Sequence, residues 1–106
     1  MLLNDPIYLE ASRVFAQNIL KQKTESQINW ALEKSLGRKG SAEEIRILTD
    51  LYNKGLVRYQ KDSVAANELI SIGDTPVAKE FPAAKLAAMT TVARAILNLH
   101  ETITRN

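Results

Sequence analysis

Residues 83–106 read AAKLAAMTTVARAILNLHETITRN, and this stretch decides the fold. Leu86, Met89, Ala93, Ile96, His100 and Ile103 recur at alternating steps of three and four, flanked by Val92, Leu97 and Leu99. At the helical period this spacing lays one apolar stripe along a long helix. Thr91, Arg94, Asn98, Glu101 and Arg105 keep the same rhythm on the other side. The spacing therefore predicts a helix that is amphipathic from end to end, with everything upstream laid against it as shorter helices.

Immediately before it, Gly73 to Pro82 is the longest irregular stretch and carries Pro76 and Pro82. Asp62 or Ser63 caps a short helix with Val64, Ala65, Leu69 and Ile70 on its inner side, ended by Gly73. Further back, Ile45, Leu48, Tyr52, Leu56 and Tyr59 hold helical phase straight through Gly55. A glycine inside a helix costs about 1 kcal/mol relative to alanine. The unbroken phase predicts one continuous helix to Lys61, with Gly55 at a close helix crossing.

Thr24 to Gln27 and Ser41 to Glu44 both read as capping boxes, and Gly37 between them suits a left-handed helix stop, with Leu36 returning to the core. Two helix starts separated by a glycine stop make a helical hairpin. Its first arm presents Ile28, Ala31, Leu32 and Ser35 on one face. At the beginning, Asp5 and Pro6 form a helix-start signal. The helix they open is expected to run to about Lys21 and to bury Ile7, Ala11, Val14, Phe15 and Ile19. The leader Met1 to Leu3 reads as the end of a preceding core segment. No strand pattern occurs, so the expected fold class is all-α: a single-domain compact bundle of about five helices around the long C-terminal helix.

Composition narrows the class further. The 106 residues include 45% hydrophobic and 25% charged side chains, ordinary values for a folded globular domain. No apolar run approaches a membrane span, and no signal-peptide pattern opens the chain. Cys is absent, which excludes disulfides and haem attachment through paired cysteines. Lys and Arg total 14 against 12 Asp and Glu, a net charge of +2, and the charges are interleaved in sequence. Binding a polyanion needs cations collected on one face. The best basic series, Lys54, Arg58 and Lys61 with Lys34, Arg38 and Lys39, reads first as solvated helix surface.

Neither a glycine-rich phosphate loop nor a serine nucleophile motif occurs, and no pattern calls for a cofactor. His100 sits on the apolar stripe without a second histidine or a cysteine to complete a metal site. Arg94, Asn98, Glu101 and Arg105 form a polar ladder, with Glu101 and Arg105 spaced for a surface ion pair. This ladder is either a solvated face or a docking face. Trp30 lies off the stripe of its own helix. It either packs on the first helix, the commoner outcome, or anchors a partner or a second copy of the chain.

Leu2 to Pro6, Ala31 to Arg38, Ala65 to Gly73, and Ala93 to Leu99 followed by Glu101, Thr104 and Arg105 occur in an order and spacing that resemble one family across essentially the whole chain. That family is the C-terminal domain of unknown function in large secreted proteins of planctomycetes and related bacteria, many of which also carry a cytochrome-c-like domain. The resemblance implies that the chain is the C-terminal piece of a longer, exported protein. It brings no established reaction with it. Met89 and Thr102 stand where relatives commonly carry aromatic anchors, and His100 where they carry an acidic or small polar residue, so the resemblance assigns His100 no role.

Three functional classes follow. The leading one is a structural and interaction module that packs against upstream domains of its own parent chain through Trp30, Arg94, Asn98, Glu101 and Arg105. A small basic nucleic-acid-binding protein is the second, suggested by the isoelectric point near 9.0 and opposed by the lack of a basic recognition helix. The third is part of an enzyme whose active site is completed by upstream domains.

Overall fold

The structure, a computed structural model, describes residues 6–24, 26–73 and 76–104, with side chains as far as residue 99. Among the described residues there are five helices and no strand: α1 (Pro6–Leu20), α2 (Gln27–Leu36), α3 (Ala42–Lys61), α4 (Ser63–Ile70) and α5 (Ala83–Thr104). The all-α bundle expected from the sequence is what forms. No helix among these residues is long and apolar enough to cross a membrane. The Met1 to Leu3 leader, the Asp5 cap and Glu25 lie outside the described residues.

α5 is the central element, in contact with each of the other four helices. Its first half departs from the expected two-sided pattern: Leu86, Ala87, Ala88, Met89 and Thr90 are buried in unbroken succession. A helix covered on several sides has no solvent face to keep polar. The polar member of the run is satisfied within the helix, since the Thr90 hydroxyl donates to the Leu86 carbonyl at 2.7 Å. After the exposed Lys85 in the first turn, polar side chains reappear outside the core only beyond Thr90, at Thr91, Arg94 and Asn98.

The small residues at the centre set how closely the helices approach. α3 runs unbroken through Gly55, as its phase predicted, and a Cβ placed there would lie 3.4 Å from Ala88 Cα. That is ordinary van der Waals contact, so a methyl group fits. Gly55→Ala is therefore expected to leave the crossing intact and to stabilise the bundle by up to about 1 kcal/mol through helix propensity. Gly55→Leu has no such room and is expected to cost about 1–3 kcal/mol. Urea midpoints of the two variants check both signs.

Capping divides the helices where the sequence places most of the stops. Gly37 ends α2 in the left-handed region at φ 73°. Ser41 opens α3 with a complete capping box, its hydroxyl accepting from Glu44 N and the Glu44 carboxylate accepting from Ser41 N. Asp62 opens α4, accepting from Ala65 N. At α2 the expectation needs correction: the cap is Ser26, whose hydroxyl accepts from Asn29 N, so the helix begins later than a Thr24 box would place it. Gln27 is then free for a different task. Its amide donates to the Leu20 and Gln22 carbonyls at 3.2 Å each, tying off the end of α1.

Glu44 also receives both guanidinium nitrogens of Arg38, at 2.8 and 2.9 Å. Hydrogen bonding from Arg38, then from the Ser41 backbone, lowers its pKa from 4.5 to about 2. A carboxylate with a depressed folded-state pKa contributes stability above its unfolded pKa and loses it as pH falls through the folded value. The stability gap between the native chain and Glu44→Gln is thus expected to be constant above pH 4.5 and to close toward pH 2. Thermal melts across that range measure it.

α1 is rotated relative to the apolar reading. Ile7 is 78% exposed and Ala11 is exposed, while Val14 and Phe15 are half-buried and only Ile19 is fully inside. The buried face is instead Leu9, Ser12, Arg13, Ala16, Gln17, Ile19 and Leu20. Three polar residues in this stripe hid it from a hydrophobicity count. They are buried because they bind backbone. Arg13 Nη1 donates to Gln17 Oε1 at 2.7 Å and to the Pro76 carbonyl at 3.2 Å, and Gln17 Oε1 accepts from Ala78 N at 3.2 Å. This knot holds the segment between α4 and α5 onto α1. On α4, Val64 is 66% exposed rather than inward, leaving Ala66 and Ile70 as its buried residues.

Candidate functional site

The crossing at Gly55 and Ala88 leaves an open groove between one side of α3 and the second half of α5. Its broadest part, about 260 Å³, is lined by Leu51, Thr91, Arg94, Ala95 and Asn98. A neighbouring hollow of about 170 Å³ shares Leu51 and Thr91 and adds Lys54, Gly55, Arg58 and Tyr59. A third hollow, of about 100 Å³, is bordered by Arg58, Tyr59, Thr91 and Arg94, with Leu9 of α1 and Leu69 of α4 also lining it. Their shared residues make the three hollows neighbours along the α3–α5 seam.

The floor is apolar and the walls are cationic. Leu51 of α3 and Ala95 of α5 both line the groove. One turn beyond each along its helix, Ile47 is 52% exposed and Leu99 is 39% exposed. Arg58 lies over the Tyr59 ring at 5.2 Å, a cation–π contact that orients its guanidinium. Lys54 is held by Asp50 at 3.2 Å. Arg94 is half-buried, and neither it nor Arg58 meets a carboxylate among the described residues.

Of the residues singled out from the sequence, Arg94 and Asn98 line this groove. Trp30 does not. It is half-buried and packs from α2 against the core cluster. The side chains of His100 and Glu101, and Arg105 altogether, lie outside the described residues. The sequence reading did not single out Leu51 and Ala95 as surface features, and it placed Arg58 in a solvated basic series. The signal that could have found them was Gly55: a close crossing there brings the Leu51–Arg58 side of α3 against α5.

A separate hollow, about 360 Å³, lies among the start of α2, the middle of α3 and the start of α5, lined in part by Ser26, Thr49, Tyr52, Lys85 and Met89. Burial raises the pKa of the Tyr52 phenol, so it stays protonated near neutrality and acts as a hydrogen-bond donor rather than a base. The Ser26 hydroxyl is engaged as the α2 cap. No group of three or more His, Asp or Glu side chains that could hold a metal ion occurs among the described residues.

Fold and site together are thus an all-α bundle that carries, among the described residues, an open groove lined by apolar side chains and by Lys54, Arg58 and Arg94. No protein-family model matches the chain, and no match is found among curated proteins or among solved structures.

Proposed function

We propose that the chain is a non-catalytic helical interaction module whose α3–α5 groove receives a segment of a protein partner. The observation that supports this most directly is the apolar lining of the groove at Leu51 and Ala95, with Ile47 and Leu99 exposed one turn along the same two helices. Grooves that combine an apolar centre with a polar rim are a recurring way to take up a peptide segment. The resemblance noted in the sequence supplies the partner in this reading: the preceding part of a longer exported bacterial chain, with the module located outside the cytoplasm. Nucleic acid fits the surface less well, since the lining joins Leu51 and Ala95 to the cations and a phosphate backbone makes no use of apolar side chains.

Photo-crosslinking tests the reading. A benzophenone amino acid at position 98, in the groove, is expected to capture one discrete protein in cells of the source organism. The same residue at position 23, exposed in the α1–α2 connection, is expected to capture none. Mass spectrometry of the adduct then says whether the captured segment belongs to the same polypeptide. Equal, diffuse labelling from both positions contradicts a dedicated docking groove.

A further inference from the structure

We propose that the segment received by the groove is acidic: it offers a carboxylate to Arg58 and Arg94 and an apolar side chain to the floor at Leu51 and Ala95. This rests on the interaction-module reading above and adds the chemistry of the partner.

The arginines carry the argument. Arg38 and Arg46 are each held by a carboxylate, Glu44 at 2.8 Å and Glu43 at 3.3 Å. Arg13 is only 1% exposed and donates to Gln17 and the Pro76 carbonyl. Arg58 and Arg94 differ from these three. They come from different helices, border the same hollow of about 100 Å³, and have no acidic partner among the described residues. Two like charges brought together without a counter-charge repel one another, and a shared anion relieves that repulsion.

The surroundings specify what kind of anion. The hydroxyls of Thr90 and Thr91 donate to the carbonyls of Leu86 and Ala87, at 2.7 and 3.2 Å, so their protons are already used. The donors that remain are the guanidinium groups and the Tyr59 hydroxyl, and the planar forks of the arginines match a carboxylate in two-point geometry. Leu9 and Leu69 border the hollow and strengthen such a pair by excluding water. The adjoining apolar floor at Leu51 and Ala95 has no use for a free anion or a phosphate backbone, but it suits a neighbouring apolar side chain on the same segment.

The test selects binders from a random displayed-peptide library on the intact chain and on an Arg58→Glu/Arg94→Glu variant whose helicity is verified by circular dichroism. The expected winners on the intact chain are acidic and carry an apolar residue near the carboxylate. They should bind the double variant at least about tenfold more weakly, as loss of a desolvated charge pair does. An Arg58→Gln/Arg94→Gln variant, run in parallel, gives the same readout should charge reversal unfold the bundle. Enriched peptides without acidic bias, binding unaffected by either variant, or no enrichment at all overturns the proposal. So does a single-stranded oligonucleotide, or a second copy of the chain, that binds through these arginines in place of any acidic peptide. A segment crosslinked at position 98 that proves non-acidic defeats this inference while leaving the interaction-module reading standing.

Discussion

Leu86→Ala is expected to destabilise the bundle by about 3 kcal/mol, whereas Leu99→Ala, on the same helix, should cost less than about 0.5 kcal/mol. Leu86 is fully buried in the stretch of α5 that the other helices surround, while Leu99 is 39% exposed. Truncating the first removes the transfer free energy of a buried side chain and leaves a cavity that close-packed neighbours fill only in part. Truncating the second removes surface that water already reaches. Stabilities of small domains are only about 5–15 kcal/mol, so the first change spends a large fraction of the total. Urea unfolding of both variants checks this. Equal losses would mean that α5 is not the covered centre of the fold.

Gln17→Leu is expected to cost about 3 kcal/mol, and Arg13→Met about 2 kcal/mol. Arg13 is 1% exposed, and its Nη1 has the Gln17 Oε1 acceptor at 2.7 Å. Replacing Gln17 with an apolar residue leaves a buried cation short of that acceptor and Ala78 N short of its own. Leaving a buried donor unmet costs more than the hydrogen bond contributes when made. Changing both partners removes the stranded charge as well as the bond. The Arg13→Met/Gln17→Leu double variant is therefore expected to lose less than the sum of the single changes, by about 1–2 kcal/mol. Strict additivity in a double-mutant cycle would show that the knot is not a unit.

The sequence made the helices legible because helix starts and stops are local. The box at Ser41 and Glu44 and the left-handed stop at Gly37 each depend on a few adjacent residues and formed as read, while at α4 Asp62 is the cap of the two residues offered and Ser71, not Gly73, ends the helix. Phase carried α3 through Gly55 for the same reason. Burial was less legible. The inner face of α1 contains Ser12, Arg13 and Gln17, which are buried because the Ser12 hydroxyl donates to Tyr8 O while Arg13 and Gln17 reach Pro76 and Ala78. Partners more than sixty positions away in sequence leave no trace in local periodicity. The all-round burial at the start of α5 was hidden likewise, since no single helix's pattern says how many neighbours will cover it.

The candidate site was half legible. The polar side of α5 pointed to Arg94 and Asn98, which do line the groove. The opposite wall, from Leu51 to Arg58, belongs to another helix. Its register against α5 is set by the contact between Gly55 and Ala88, which is a tertiary fact. Trp30, read from the sequence either as packing on the first helix or as an anchor for a partner, is half-buried against the core cluster.

The most direct measurement is a ¹⁵N-labelled titration of the intact chain with the partner segment recovered by crosslinking at position 98. The account predicts shift changes concentrated on Leu51, Arg58, Thr91, Arg94, Ala95 and Asn98. Changes centred on the outer face of α1, at Ile7, Val14 and Phe15, or in the hollow of Tyr52 and Lys85, would contradict it.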